Sequence, residues 1–397
     1  SITEMQSADD APVISIVNSI ISQAIKERAS DIHVEPTDNN LRVRYRIDGE
    51  LREAFSFPIK THALLISRLK IMSELDIAEK RLPQDGRINF REGDREIDIR
   101  VSSLPTVIGE KIVLRILDRA SVIVDIKRLG FAEKNLAVYK KLYSQSYGMI
   151  LVTGPTGSGK TTTLYSTLTG LNKPTKNIIT VEDPTEYRLD GINQVQVNAK
   201  AGLTFAAGLR SILRQDPNII MVGEIRDGET ADIAIRAALT GHLVLSTLHT
   251  NDSIGAVSRL VDMGVEPFLV ASSVLGILAQ RLVRKICPEC KESYVLETDS
   301  PERAFFGEHY QDGTTLYRGA GCPSCANTGY RGRMAIHEVF PISKGLRELI
   351  TEKASGEKLK ALAAQEGMTT MQYDGFQKVL AGETTINEIM RVAYAEL

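Results

Sequence analysis

Met149-Ile-Leu-Val-Thr-Gly154-Pro-Thr-Gly-Ser-Gly-Lys160-Thr161-Thr-Thr163 joins an apolar run to a glycine-rich turn and a polar helix start. From Gly154 the spacing is G-x-x-x-x-G-K-T, which predicts a strand over 149–153 and a helix over 160–170. Glycines let the backbone N–H groups curl inward as an anion nest, and the helix N-terminus adds its positive end. The residues expected to hold a nucleoside triphosphate are therefore Gly154, Pro155, Thr156, Gly157, Ser158, Gly159, Lys160, Thr161 and Thr162. Lys160 is placed for the β- and γ-phosphates, and the Thr161 hydroxyl for Mg²⁺.

On either side of that loop, strand and helix patterns alternate. Strands are predicted at 149–153, 177–182, 218–222 and 243–247, with helices at 133–144, 160–170, 204–214 and 228–239. This predicts an α/β domain with a parallel sheet, helices on both faces and the ligand at the carboxyl ends of the strands. Two of those ends carry acids. Ile219-Ile-Met-Val-Gly223-Glu224 closes on a carboxylate, but Gly223 stands where such enzymes usually place the Asp that holds Mg²⁺. Glu224 is thus expected to act on the metal's water shell, on the attacking water, or on both. Glu182, before Asp183-Pro184, is the rival for directing water. His242 and His249 lie seven apart on a predicted strand and face opposite sides, so they make poor joint metal ligands. His249 is expected to sense the γ-phosphate; a satisfied core or turn histidine is the alternative. Arg210 and Arg214 share a helix, Arg226 follows Glu224, and Arg100 and Arg115 end or interrupt earlier strand patterns. Guanidinium groups that reach γ-phosphate oxygens speed phosphoryl transfer, whereas most single arginines form surface ion pairs.

Upstream, Val13 to Ala29 has helical spacing, and strands are predicted at 32–34, 41–47, 86–90, 96–101 and 112–117, with a helix around 64–75. The expected domains are an N-terminal α+β domain over 1–118, a linker over 119–128 and the phosphate-loop domain over 129–285. A tetracysteine segment over 286–340 and a helical region over 341–397, broken at Gly356, Gly367 and Gly382, complete the chain. Cys287-Pro-Glu-Cys290 and Cys322-Pro-Ser-Cys325 form two matched knuckles, an arithmetic that suits structural Zn²⁺; a redox pair is the alternative.

At 397 residues the chain suggests two or three domains, and 43% hydrophobic with 25% charged content is that of a globular protein. A net charge of −2 gives no basis for a nonspecific grip on nucleic acid. The longest apolar stretch, Phe268 to Ala279, falls short of the ~20 residues needed to cross a bilayer. Glu4, Asp9 and Asp10 replace the basic start of a signal peptide, and the expected location is the cytoplasm.

Taken together, the chain resembles the bacterial ATPases that drive type II secretion and type IV pilus extension. The residues that carry the resemblance are Ser30-Asp-Ile-His-Val-Glu-Pro36, Arg81-Leu-Pro-Gln-Asp-Gly-Arg87, the phosphate loop and Val181-Glu-Asp-Pro184. Gly223-Glu-Ile-Arg-Asp227, Thr240-Gly-His-Leu-Val-Leu-Ser-Thr-Leu-His249 and both cysteine pairs complete the set. The resemblance implies a RecA-like phosphate-loop motor domain preceded by a PAS-like α+β domain, with a zinc-binding insert and a helical C-terminal tail. It implies a homohexamer that uses ATP, Mg²⁺ and Zn²⁺ and is peripheral on the cytoplasmic face of the inner membrane. Its partners there would be a platform protein and a membrane docking protein, with no nucleic acid bound. By the same resemblance Glu182 falls in an acidic box, Glu224 in the second Walker motif, and His242 and His249 in a histidine box. Arg100 and Arg115 match arginines that the N-terminal domain points at the nucleotide, while Arg210 and Arg226 match motor-domain arginines. Retraction motors lack the zinc subdomain, which argues against retraction. Leu275-Gly-Ile-Leu-Ala-Gln-Arg-Leu-Val-Arg284 and Gly255-Ala-Val-Ser-Arg-Leu260 look slightly more like the secretion branch than the pilus branch. A nucleotide-gated scaffold with negligible turnover and a conjugation-type translocation ATPase are the competing readings. Full-length members carry a further N-terminal domain; the sequence starts at Ser1 instead of Met and is expected to lack it.

Overall fold

Alternating side chains in the first part of the chain build a one-sided sheet. The structure, a computed structural model, describes residues 10–118, 125–307, 311 and 313–393. It divides into two compact units, Ser1–Val122 and Ile123–Leu397. In the first, α1 (Asp10–Lys26), β1 (Asp31–Pro36), β2 (Asn40–Ile47), β3 (Glu50–Pro58), α2 (His62–Met72), β4 (Gln84–Glu92), β5 (Arg95–Pro105) and β6 (Glu110–Leu117) follow in order. All six strands pair antiparallel in the order β3-β2-β1-β6-β5-β4. Along β2, Leu41, Val43 and Tyr45 are buried while Arg42, Arg44 and Arg46 take the other face. The buried face packs on Val17, Ile21 and Ala24 of α1 and on Leu65, Ile66 and Leu69 of α2. The Tyr45 hydroxyl donates to the Ile20 carbonyl at 2.5 Å.

Strand β3 was not foreseen. Opposite Val43 stands Phe55 and opposite Arg44 stands Glu53, so Ala54 is an extra residue that breaks the two-residue period.

The second unit is built on a seven-stranded sheet in the order β15-β12-β7-β11-β10-β8-β9. Its parallel strands include β7 (Gly148–Thr153), β8 (Ile178–Glu182), β10 (Ile219–Val222) and β11 (Leu243–Leu248), with β9 (Asn193–Gln196) at the edge. β12 (Val274–Ile286) runs parallel to β7, and β15 (Tyr330–Pro341) pairs antiparallel with β12, so the sheet is mixed rather than wholly parallel. Both faces of β7 are covered. Met149 and Leu151 enter one core and Ile150 and Val152 the other, which is why this strand reads as an unbroken apolar run. α3 (Glu133–Tyr143) and α4 (Lys160–Leu171) lie over the second of these cores. The first is covered by α5 (Phe205–Ile212), α6 (Gly228–Leu239), α7 (Gly255–Asp262), α8 (Pro267–Ser273) and, further on, α10 (Lys344–Thr351) and α11 (Gly356–Gln365). The long apolar stretch is thus one helix, α8, running into β12.

Between β12 and β15 lie a small antiparallel pair, β13 (Lys291–Val295) and β14 (Thr315–Gly319), and the short α9 (Arg303–Phe306). Residues 330–340 of the tetracysteine segment therefore belong to the main sheet, because β15 pairs along its length with β12. α12 (Met371–Leu380) and α13 (Ile386–Ala393) pack Phe376, Val379 and Ile389 against Val283, Leu316 and Ile336. Of the expected linker, 119–124 lie outside the described residues, and Ile126–Arg128 form a 3-10 turn capped by the Asp125 side chain. No helix among the described residues is long and apolar enough to cross a membrane.

Candidate active site and cysteine cluster

The phosphate loop leaves the carboxyl end of β7 and enters α4 at Lys160. A side chain at Gly154 would put Cβ 2.4 Å from Ser158 Oγ and 2.6 Å from the Gln280 carbonyl oxygen. Gly159 caps α4 at φ 84°, a left-handed conformation that favours glycine. Lys160 Nζ donates to the carbonyls of Gly154 at 2.5 Å and Pro155 at 3.1 Å and lies 3.3 Å from His249 Nδ1. Burial pulls this ammonium down to about 8; Glu224 opposes the shift and Arg281 adds to it.

In front of the loop lies a cleft of about 340 Å³. Thr156 to Thr162, Glu182, Glu224 and His249 contribute to its lining. Glu182 is 3% exposed, and three groups donate to its carboxylate. The Tyr165 hydroxyl takes one oxygen; Thr180 Oγ1 at 2.7 Å and Gln194 Nε2 at 3.1 Å take the other. Burial and the Glu182 carboxylate push the Tyr165 phenol far above the usual tyrosine range, so it remains a donor. Glu224 is less enclosed: it pairs with Arg226, and its Oε2 lies 3.7 Å from His249 Nε2. Gly223, in place of the usual Asp, leaves little room for a side chain. A Cβ there would lie 3.3 Å from both the Glu182 Cα and the Val181 carbonyl.

The remaining predicted residues are not all brought to this cleft. Arg210 pairs with Glu229 at 2.6 Å on the exposed side of α5. Arg226 reaches the site only through Glu224, with its guanidinium 5.9 Å from the Phe205 ring centroid. His242 precedes β11, at the opposite end of the strand from His249, and its Nδ1 is 2.9 Å from the Ala237 carbonyl. Arg100 and Arg115 belong to the first unit. There Arg87, Arg100, Arg115, Asp31 and Arg46 stand opposite one another in turn across β4, β5, β6, β1 and β2, with Arg115 Nε 3.2 Å from Asp31 Oδ1. Tyr165, Thr180 and Gln194, which fix Glu182, were missed. They carry no motif, and only the fold brings them together.

The four cysteines form one cluster, and none is in a disulfide. Sγ–Sγ distances are 3.8 Å for Cys287–Cys322, 3.8 Å for Cys290–Cys325 and 3.7 Å for Cys322–Cys325. Four thiolates about 2.3 Å from a tetrahedral zinc ion stand about 3.8 Å apart, so this donor set fits Zn²⁺. Backbone amides support it: Gly321 donates to Cys290 Sγ, and Cys322 and Gly329 donate to Cys325 Sγ. Burial works against ionising Cys325, but those two amides together with the neighbouring Cys322 and Cys290 thiols bring it down to about 6. Burial and the neighbouring sulfurs push Cys290 the other way, to about 12. Opposed shifts are those of thiols sharing one proton-crowded pocket, and a divalent cation would ionise all four.

A glycine-rich phosphate loop at the carboxyl end of β7, in a unit that also carries a four-thiol cluster, defines a phosphate-loop α/β protein. The family model described as "Type II/IV secretion system protein" matches residues 6–391, and the chain belongs to that family of secretion and pilus ATPases. Type II secretion system protein E of Pseudomonas aeruginosa is 53% identical over 99% of this chain and 78% of its own. Type II secretion system ATPase E of Vibrio cholerae is 52% identical over 98% and 76%. The type IV pilus assembly ATPase PilB of Myxococcus xanthus is 52% identical over 98% and 69%. Among solved structures, the pilus retraction motor PilT with bound ADP aligns with a TM-score of 0.63 at 28% identity, covering 95% of this chain and 96% of that one. The Legionella pneumophila ATPase DotB shares the fold at TM-score 0.69 and 20% identity, covering 96% of each chain.

Proposed function

We propose that this ATPase powers type II protein secretion by driving the assembly of pilin-like subunits at the inner membrane. One observation carries the reading: Lys160, Glu182, Glu224 and His249 converge on a single cleft at the carboxyl end of β7. ATP would lie with its phosphates against the loop amides and Lys160, and Mg²⁺, held through the Thr161 hydroxyl, would neutralise developing charge. Glu224 or Glu182 orients the water, and His249, within reach of both Lys160 and Glu224, senses the γ-phosphate. Arg210 and Arg226 would complete the site in the assembled enzyme, and Arg100 and Arg115 of the first unit would do so from the N-terminal domain. Zn²⁺ on Cys287, Cys290, Cys322 and Cys325 is structural, since sulfur fills every position.

The working form in this proposal is a homohexamer on the cytoplasmic face of the membrane, attached through a platform protein and a docking protein. Its working parts are the expected domains 1–118 and 129–285, the linker over 119–128 and the helical region 341–397, with the 286–340 segment cut back to 287–329 because β15 belongs to the main sheet. Pilus extension stands as a second reading because the Myxococcus xanthus PilB match is nearly as strong as the secretion matches. Steady-state phosphate release from MgATP tests the core of the proposal. Lys160→Ala should lower it about 100-fold or more, and unchanged release would remove this site as the seat of hydrolysis.

A further inference from the structure

Behind the phosphate loop, on the side away from the cleft, a buried polar chain begins at a loop carbonyl. Gln280 of β12 is 2% exposed, and its Nε2 donates to the Ser158 carbonyl at 2.8 Å. Its Oε1 accepts from Thr163 Oγ1 at 2.7 Å and lies 3.0 Å from Nε2 of His337 on β15. His337 is fully buried. Its ring stacks on Phe131 with centroids 3.7 Å apart, and its backbone N–H donates to Asp374 Oδ2 at 2.8 Å. Asp374 in turn holds Lys378, which donates to the Ala335 carbonyl.

The Thr163 hydroxyl proton is shared between Gln280 Oε1 and the Gly159 carbonyl at 3.2 Å, but the Gln280 amide and the His337 ring each have one orientation that fits. A flipped Gln280 amide would set oxygen against the Ser158 carbonyl oxygen, so Nε2 must face the loop. Oε1 then faces His337, which must present Nε2–H. His337 Nδ1 has no hydrogen-bond partner among the described residues, and in this tautomer it is a bare lone pair rather than an orphaned donor. Burial, reinforced by the Lys378 charge, holds this imidazole well below the usual histidine range, in keeping with a neutral ring.

The consequence for the loop follows from peptide planarity. A trans peptide points its C=O and the next N–H in opposite directions, so fixing the Ser158 carbonyl on Gln280 turns the Gly159 N–H the other way. Gly159 itself lines the cleft, so an amide turned away from Gln280 faces the side on which the phosphates would lie. The contact is close enough that a Cβ at Gly159 would lie 2.8 Å from Gln280 Nε2.

We propose that Gln280 is a positioning residue for nucleotide binding, which aims the Gly159 amide at the phosphates, and that neutral His337 fixes the orientation of Gln280. This rests on the nucleotide reading of the cleft. The test is calorimetric MgADP binding to the full chain, with thermal unfolding alongside and wild-type phosphate release as the check on the parent reading. In Gln280→Glu the Oε1 contacts survive, but the donor to Ser158 exists only while the new carboxyl is protonated, and burial raises its pKa. Affinity should fall about tenfold at pH 8 and recover towards wild type at pH 6. The ionised carboxylate of that variant also repels the phosphates, so the charge-neutral His337 variants separate positioning from repulsion. His337→Gln keeps an N–H towards Oε1 and should bind nearly as wild type, whereas His337→Met should lose several-fold. Wild-type affinity for Gln280→Glu at both pH values would overturn the proposal. Should that variant fail to fold, equal affinities for the two His337 variants would overturn it, and a several-fold gap would uphold it. A wild-type chain that neither binds MgADP nor releases phosphate would instead sink the nucleotide reading itself.

Discussion

Lys160 is the residue on which pH should act first. Its ammonium is pulled down to about 8, chiefly by burial, yet phosphate binding requires the charged form. The linkage sign follows: affinity is complete below about pH 8 and declines as pH rises through that value in the nucleotide-free protein. Catalytic efficiency, kcat/KM for MgATP, is therefore expected to drop on the alkaline side. Lys160→Arg, whose guanidinium does not titrate there, should lack that limb at a lower overall rate. The two acids separate by a different measurement. Glu224 has a half-open setting beside His249 and Arg226, so Glu224→Gln should cut turnover about 100-fold with little effect on Tm. Glu182 is encased by three donors, and Glu182→Gln turns an amide N–H₂ towards at least one of them. It should lose stability by about 1–3 kcal/mol as well as activity. Full turnover in both variants would strip both of their roles.

At the scale of elements, what could be read from the chain follows from how local each signal is. The phosphate loop announces itself because one turn supplies strand, nest and helix start in unbroken sequence. β2 announces itself by clean alternation, whereas β3 hides behind the bulge at Ala54. β12 hides for another reason. Val274 to Ala279 extends the apolar run of α8, and periodicity cannot tell a buried strand from a buried helix over so few residues. Gln280 sits on that strand, and its partner His337 lies across the whole cysteine segment, so nothing local marks either. The cysteines were legible as knuckles, but their packing was not: Leu316, Ile336, Phe376 and Ile389 share one core with the neighbouring helices. Losing the metal should therefore loosen more than the knuckles. Cys287→Ser is expected to abolish stoichiometric zinc in metal analysis and to lower the Tm of the unit by roughly 5–10 °C. A variant that keeps both zinc and Tm would place the metal elsewhere.

For the whole molecule, the proposed ring makes activity a property of association. Arg210 is engaged with Glu229, Arg226 with Glu224 and Arg115 with Asp31, so a site completed by them needs rearranged pairings. Specific activity should rise at least about tenfold from dilute monomer to assembled ring, followed by phosphate release with sedimentation on the same samples. Equal activity across that range would refute completion by a neighbour. The pairing of β12 with β15 has a further consequence. Ile286 stands opposite Tyr330, so everything from Cys287 to Gly329 is, topologically, the tip of a hairpin. Losing or acquiring the metal lobe in evolution would then take a single excision or insertion at one turn, with no strand re-threaded through the sheet.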